Sequence, residues 1–292
     1  MTAESAFIAS LRAIATHPAA RDLADDCAVL QVGAETLIIT HDAMAEGVHF
    51  LPGQDPADVA WKLVASNLSD LAAKGARPLG VLLGYQLSED DARFAEGLRA
   101  VLSHYDVPLL GGDTIAANGA QVLGLTALGL ATHRPVPSRS GARPGDTLWL
   151  TGPIGAAMLG LEALQEDPAA IAEASLAYRR PQALLAEGQQ LAPLVTAMMD
   201  ISDGLLLDAM RMAAASDVTL AIERAAVPIA VPEPRRDQAL RWGDDYQLLF
   251  TLPAGVHPPC QAQQIGMVQQ AGLHPLVLDG TAPTGRLGYE HG

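Results

Sequence analysis

Acidic residues in this chain recur at the ends of apolar segments, often beside glycine or a hydroxyl residue. In the most prominent case, Asp200-Ile201-Ser202-Asp203 follows an apolar segment and precedes apolar residues at helical spacing. The pattern returns at Asp25-Asp26, His41-Asp42, Ser69-Asp70, Gly112-Asp113 and Asp244-Asp245. Divalent cations such as Mg²⁺ take oxygen ligands, and carboxylates supply them. The pattern predicts a site for such cations, although Ser202 and Asp203 alone could simply cap a helix.

Length, composition and charge exclude several classes of protein. The 292 residues provide room for two ordinary domains or one large one, and an apolar fraction of 49% indicates a globular chain. A formal net charge of −15 argues against a nucleic-acid-binding surface. Cys27 and Cys260 are too few for a disulfide framework or a thiolate metal site. With no signal peptide and no membrane-spanning apolar segment, we expect a cytoplasmic protein that binds neither nucleic acid nor membrane.

The elements that would position the aspartates follow from hydrophobic periodicity and from turn residues. Predicted helices cover 6–15, 55–75, 90–104, 156–165, 182–191 and 204–214. Predicted strands cover 27–31, 36–40, 78–87, 107–110, 121–132, 147–151, 195–199, 218–222 and 246–252, and 166–174 is expected to be a surface connection. Asp55-Pro56 is a strong start for the second helix. Asp70 falls near the end of that helix, where the macrodipole disfavours an anion and a bound cation would offset the cost. Lys62, in the middle of the same helix, could reach a phosphate, but a solvated helix face is the favoured expectation.

A turn-rich segment, 135–145, separates two halves that both mix helices and strands. We therefore predict an α+β protein with an N-terminal domain over residues 1–137 and a C-terminal domain over 138–292. The chain contains neither the phosphate-binding loop with a Gly-Lys-Ser/Thr ending nor the signature motifs of protein kinases. Any nucleotide would have to be bound in another way.

Seven blocks in order resemble the thiamine-monophosphate kinase family, which belongs with aminoimidazole-ribonucleotide synthetase and selenophosphate synthetase in one superfamily. The blocks are Asp25–Ala28, Glu46–Phe50, Asn67–Ala73, Gly111–Thr114, Ser138–Asp146, Asp200–Leu205 and Gly243–Tyr246. The resemblance implies an N-terminal mixed or antiparallel sheet that pairs with a partner subunit in a homodimer. It also implies a C-terminal α+β domain that covers the nucleotide.

The activity implied by this resemblance is ATP-dependent phosphorylation of thiamine monophosphate to thiamine diphosphate, in thiamine diphosphate biosynthesis. The acceptor phosphate is already anionic near neutral pH, so no catalytic general base is expected. The reaction instead requires charge neutralisation and in-line placement of two polyanions, which several Mg²⁺ ions would assist.

The resemblance also implies roles for individual residues. The implied metal ligands are Asp26, Thr40, His41, Asp42, Asp70, Asp113, Asp200 and Asp203. The implied ATP-binding residues are Gly112, Asp113, Arg139 and Ser202. The implied substrate-binding residues are His49, Asp244 and Arg286.

Four positions depart from the family pattern. Ala24 replaces a glycine, and His41 replaces a threonine, so a metal contact at His41 would have to use its backbone carbonyl. Asp244 replaces a glutamate and has a shorter reach. Arg286 stands about where the family has an aromatic residue against the thiamine rings, so thiamine recognition is affected more than phosphoryl transfer.

Two alternatives remain from the sequence. One is another ATP-dependent member of the same superfamily, of the cyclo-ligase or carboxamide-activating type, which would release phosphate. The other is a non-catalytic protein that binds divalent metal ions. The blocks 46–50 and 243–246 favour the thiamine enzyme over another member of the superfamily. The spread of carboxylates over both halves of the chain, beside Arg139, argues against a non-catalytic metal-binding protein.

Overall fold

The computed structural model describes residues 3–167 and 173–290 and contains two β-sheets. The helix α1 (Ala3–Arg12) and a 3₁₀ segment (Pro18–Leu23) precede the first sheet. Its strands are β1 (Ala28–Val32), β2 (Glu35–Ala45), β3 (Ala76–Gln86), β4 (Leu109–Ile115) and β5 (Val122–Ala131). They lie in the order β1-β2-β5-β3-β4, antiparallel except for β3 and β4. β4 is therefore an edge strand, and every residue of it is exposed.

Helix α2 (Pro56–Ala73) lies between the two halves of the protein. Asp55 caps it by accepting a hydrogen bond from Ala57 N, and Pro56 occupies the first helical position, where its missing N–H costs nothing. The helix contacts the first sheet, α3 (Asp91–Tyr105), and the elements α6 (Leu185–Leu191) and β7 (Ala197–Asp200) of the second half. All of its residues except Pro56 and Asp70 are buried, including Asp58, Lys62, Ser66, Asn67 and Ser69. These polar side chains consequently face other parts of the protein and not solvent.

The second sheet contains β7 and five further strands. They are β6 (Thr147–Leu150), β8 (Val218–Ile222), β9 (Leu248–Leu252), β10 (Gln263–Gln270) and β11 (Leu276–Leu278). The order is β11-β8-β10-β6-β9-β7, and only β11 and β8 are parallel. β7 lies at one edge and ends in Asp200.

The remaining helices complete the second half. They are α4 (Ala156–Glu166), α5 (Leu176–Arg179), α7 (Leu205–Ser216) and α8 (Arg236–Ala239), with 3₁₀ turns at Glu173–Ser175, Arg224–Ala226 and Glu233–Arg235. Leu206 and Met212 of α7 belong to the same core cluster as Leu148, Leu220 and Leu249 of the sheet. Burial of each such side chain contributes roughly 1.5–3 kcal/mol. Within the described ranges, no helix combines the length and apolarity needed to cross a membrane.

Several predicted elements differ from the structure. β2 continues through His41 and Asp42 to Ala45, because β5 pairs with it over its whole second half. Gly111-Gly112-Asp113 lies inside β4 and not in a turn after it, since β3 pairs with these residues. The sequence analysis missed β10 and β11, whose apolar pattern is weak: only Ile265, Gly266 and Val268 of β10 are buried. The predicted surface connection at 166–174 lies mostly outside the described residues.

Candidate active site

Three carboxylates from distant parts of the chain meet where the two halves join. Asp26 precedes β1, Asp70 lies in the last turn of α2, and Asp200 ends β7. One oxygen atom from each lies within 4.8 Å of the others. Asp42, Asp113 and Asp203, which the sequence analysis also proposed as metal ligands, do not belong to this close group.

Hydroxyl groups orient two of these carboxylates. Thr40 Oγ1 donates a hydrogen bond of 2.5 Å to Asp70 Oδ2. Ser69 Oγ donates one of 2.6 Å to Asp200 Oδ2. Since both hydroxyl groups are buried, they fix the orientation of the carboxylates without neutralising them.

Burial and repulsion from neighbouring carboxylates raise the pKa values of Asp70, Asp200 and the nearby Asp42. Burial is the larger cause for Asp200, whose pKa is raised to about 8, and the charge of Asp26 is the second. Burial also raises the pKa of Asp70 well above its usual range, and Asp42 and Asp200 raise it further. The pKa of Asp42 is raised to about 6, again mainly by burial. A cluster of carboxylates with raised pKa values is stabilised by a bound cation, and its hard oxygen donors fit Mg²⁺.

Two cations, Arg139 and Lys74, contact Asp26. Arg139 donates from Nε to Asp26 Oδ1 over 2.7 Å. Lys74 Nζ lies 2.6 Å from Asp26 Oδ2, an ion pair that is not aligned as a hydrogen bond. Lys74 is fully buried and also contacts Asp25 Oδ1 at 2.5 Å. Burial raises the pKa of Asp25, but Lys74 and Arg21 outweigh it and hold the pKa below its ordinary value.

The sequence analysis did not identify Lys74. It is the only charged residue in the segment Leu71-Ala72-Ala73-Lys74-Gly75-Ala76, directly after an aspartate-bearing helix. A lysine in such an apolar segment signals a buried cation that needs an anionic partner. That signal was present in the sequence.

Residues 40–42 alternate between the two faces of β2, as consecutive strand residues must. Thr40 is buried and points toward Asp70, whereas His41 is exposed and its Nδ1 lies 2.9 Å from Thr126 Oγ1. The imidazole of His41 therefore faces away from the three carboxylates. Asp42 returns to the face of Thr40, and its charge interacts with those of Asp26 and Asp203.

The remaining predicted metal and nucleotide residues lie in two places. Ser202 and Asp203 form the turn between β7 and α7, and Arg211 of α7 pairs with Asp203 Oδ2 at 2.5 Å. Gly112 and Asp113 lie on the exposed edge strand β4, where Asp113 Oδ1 accepts a hydrogen bond from Thr114 N. A Cβ atom at Gly112 would lie 2.0 Å from the carbonyl oxygen of Leu83, so this close approach of β4 to β3 requires glycine.

A cavity of about 560 Å³ lies beside Asp42. Asp42, Ser202 and Asp203 line it on one part of its wall. Its other lining residues include the aromatic side chains of Tyr178, Trp242, Tyr246 and Tyr289, together with His49, Asp244 and Arg286. The volume is that of a small-molecule site. All three residues predicted to bind the substrate thus line one cavity with three of those predicted to bind metal or nucleotide.

The hydrogen bonds of His49 and Arg286 define what each can offer in this cavity. Ala45 N donates to His49 Nδ1 over 3.0 Å, so a neutral His49 carries its proton on Nε2. Arg286 donates from Nε to Gly288 O and from its second terminal nitrogen to Glu290 O. Its guanidinium also lies 5.4 Å from the ring centre of Tyr289. Arg286 thus organises the chain end that carries Tyr289.

Lys62 contradicts the expectation of a solvated helix face. Its side chain is 1% exposed, and its Nζ lies 2.8 Å from Asp244 Oδ2. Because α2 lies between the two halves, a polar residue in the middle of it becomes internal. Periodicity within one helix does not reveal this second covering layer.

The family was identified by comparison with known proteins. Residues 24–131 match the N-terminal domain model of AIR synthase related proteins, and residues 143–271 match the C-terminal domain model. The chain therefore belongs to the AIR synthase related proteins, with both of their domains in order.

Within that class, the chain belongs to the thiamine-monophosphate kinase family. It is 38% identical over 249 residues to thiamine-monophosphate kinase of Escherichia coli (strain K12), covering 79% of this chain and 76% of that one. It is 34% identical to the Caulobacter vibrioides thiamine-monophosphate kinase over 94% of this chain and 86% of the relative. The solved structure of AaThiL complexed with AMPPCP and TMP has a TM-score of 0.86 and 27% identity, covering 97% of this chain and 96% of the other. The resemblance drawn from the seven sequence blocks is confirmed.

Proposed function

We propose that this protein phosphorylates thiamine monophosphate to thiamine diphosphate with ATP as the donor. The observation that carries this proposal is the cavity, whose lining combines Asp42, Ser202 and Asp203 with aromatic side chains and Asp244. The thiazolium ring of thiamine is a cation, and carboxylates and aromatic faces attract cations. The family membership of the chain supports the same substrate.

Direct transfer accounts for a site without a general base. An anionic oxygen of thiamine monophosphate forms a bond to the γ-phosphorus as the bond from that phosphorus to the β-phosphate oxygen breaks, and ADP leaves. The protein must hold two polyanions in line against their repulsion, which amounts to several kcal/mol between unit charges about 4 Å apart in a moderately polar site. Arg139 can contribute to this by contacting the nucleotide phosphates.

Mg²⁺ is part of the proposal because the donor set fits it. Asp26, Asp70 and Asp200 offer oxygen atoms close together, and Asp42 adds a fourth carboxylate electrostatically coupled to them. Bound Mg²⁺ would offset the charge of the phosphates. The proposed ligands remain Asp26, Thr40, His41 through its backbone carbonyl, Asp42, Asp70, Asp113, Asp200 and Asp203. The proposed nucleotide contacts remain Gly112, Asp113, Arg139 and Ser202.

We propose a homodimer formed through the edge strand β4. Leu109, Leu110 and Ile115 on this strand are 48%, 53% and 54% exposed, an apolar edge that a partner would cover. The same strand carries Gly112 and Asp113. Because Asp113 does not belong to the close acidic group of its own protomer, we propose that it serves the site of the partner in this dimer. The functional division proposed for each protomer is 1–137 for metal, ATP and dimerisation, and 138–292 for covering nucleotide and substrate.

Product analysis tests the function. The purified protein is incubated with ATP, MgCl₂ and thiamine monophosphate, and the products are separated by chromatography, with EDTA replacing MgCl₂ in a control. We expect thiamine diphosphate and ADP in equal amounts, and neither in EDTA. Release of ADP and free phosphate without thiamine diphosphate would instead indicate a ligase-type relative. Binding of divalent ions without ATP turnover would indicate a non-catalytic protein.

A further inference from the structure

The ammonium group of Lys62 is buried where three separate segments of the cavity wall meet. Its Nζ donates a hydrogen bond of 2.9 Å to His49 O and one of 2.8 Å to Asp244 Oδ2. It also lies 3.8 Å from the centre of the Tyr178 ring. His49, Asp244 and Tyr178 all line the cavity, but they are far apart in sequence. One side chain of α2 therefore connects the loop after β2, helix α5 and the loop before β9.

Asp244 depends on this contact for its orientation. Its other carboxylate oxygen accepts a hydrogen bond of 3.2 Å from the hydroxyl of Tyr246. Asp244 and Tyr246 both have left-handed backbone conformations, with φ of 65° and 50°. Aspartate tolerates this conformation better than most residues, but a bulky tyrosine keeps it only where the surroundings impose it. The carboxylate is thus held between two donors on a constrained loop, with 30% of its side chain exposed to the cavity.

We propose that Lys62 is a positioning residue for the substrate side of the site: it sets the direction of the Asp244 carboxylate and of the loop that carries His49. The inference rests on the proposed function, because it assigns the aromatic part of the cavity to thiamine monophosphate. Lys62 acts on the acceptor through Asp244 and does not touch ATP. Its ammonium is saturated by two oxygen atoms and a ring face, so it is not a phosphate contact.

The shape of this contact also accounts for lysine at the position. Three donors on one point charge suit two carbonyl-type acceptors and an aromatic face around a small volume. Arginine would place a wider planar group in the same space. Methionine would fill the volume but leave Asp244 without its cationic partner and His49 O without its donor.

The test compares Lys62→Met, Asp244→Asn and the double variant in steady-state kinetics with each substrate varied in turn. We expect Lys62→Met to raise KM for thiamine monophosphate at least about tenfold, since loss of one partner of a buried ion pair at a binding site has effects of this size. KM for ATP should stay within about twofold, because none of the described residues proposed to bind nucleotide contacts Lys62. In the double variant, KM for thiamine monophosphate should be less than about threefold above that of Asp244→Asn alone, since both changes remove the same interaction.

Three results would overturn the proposal. The first is an unchanged KM for thiamine monophosphate in Lys62→Met. The second is a fully additive double variant. The third is an equal deterioration toward both substrates, which indicates a merely structural lysine. If Lys62→Met does not fold, Lys62→Arg replaces it, because arginine keeps the positive charge. We expect a several-fold rise in KM for thiamine monophosphate alone in this variant. A wild-type KM for thiamine monophosphate in Lys62→Arg would contradict the proposal. A wild-type protein that makes no thiamine diphosphate would refute the proposed function itself, which separates the two failures.

Discussion

Replacement of Asp200 by asparagine should stabilise the metal-free protein while weakening its response to Mg²⁺. Asp200 is buried, and its pKa is raised from 3.8 to about 8 by burial and then by the charge of Asp26. Asparagine has the same shape, can still accept the hydrogen bond from Ser69 Oγ, and carries no charge. The change therefore removes the electrostatic cost and little else.

The size of the effect follows from the pKa shift. Raising the pKa from 3.8 to about 8 corresponds to an upper limit of roughly 5–6 kcal/mol at pH 8 and above, since each tenfold change in an acid constant is worth about 1.4 kcal/mol. Protonation and relaxation of the coupled carboxylates reduce this, so we expect a gain of about 1–3 kcal/mol, or roughly 2–8 °C in Tm. The sign follows from proton binding: the folded state binds more protons than the unfolded state between pH 4 and 8. In EDTA, the wild type should thus lose stability as pH rises through that interval, and Asp200→Asn should lose less.

Thermal unfolding at pH 8, with EDTA and with 10-fold steps of MgCl₂, measures both effects. Asp25→Asn is the matched control, because Asp25 is an aspartate of the same region whose charge is compensated by Lys74 and Arg21. It should lower Tm in EDTA, opposite in sign to Asp200→Asn. The reasoning is refuted if Asp200→Asn lowers Tm in EDTA as the control does. It is equally refuted if Mg²⁺ raises the Tm of Asp200→Asn as much as that of the wild type.

Two further predictions concern the proposed homodimer and the buried Lys74. Asp70→Asn and Asp113→Asn should each be inactive alone, but co-expressed mixtures should regain about a quarter of wild-type activity. Half of the randomly paired dimers would contain one protomer of each variant, and one of the two sites in such a dimer is intact. Activity that stays absent in verified mixed dimers would place both residues in one protomer's site. Lys74→Met should destabilise the fold by about 3–5 kcal/mol in urea unfolding at pH 7, since it leaves Asp25 and Asp26 buried without their shared cation. A change below about 1 kcal/mol would contradict that account.

Local signals in the sequence predicted where several secondary-structure elements begin and end. The Asp55-Pro56 start of α2 and the position of Asp70 near its end are both confirmed. These features depend on capping and periodicity over a few residues, which a single sequence shows directly. The predicted meeting of aspartates from both halves is found for Asp26, Asp70 and Asp200.

Other features depend on contacts between distant segments, and the sequence could not reveal them. The side of β2 on which His41 lies is set by pairing with β5 and the covering of one face by α2. The contact of Lys62 with Asp244 joins residues 182 positions apart and requires the loop before β9 to return to α2. Arg286 was proposed as a substrate contact because it stands about where the family has an aromatic residue. It does line the cavity, but its hydrogen bonds to Gly288 O and Glu290 O depend on how residues 286–290 fold, which the sequence does not show.

The most direct test of the account follows the terminal phosphate of ATP. The wild-type protein is supplied with ATP labelled at the γ-phosphate, thiamine monophosphate and MgCl₂, and the label is counted in thiamine diphosphate and in free phosphate as ATP is consumed. Direct transfer predicts that the label lost from ATP appears in thiamine diphosphate, one for each ADP formed. Label that collects in free phosphate while thiamine monophosphate remains unchanged would contradict the proposed kinase.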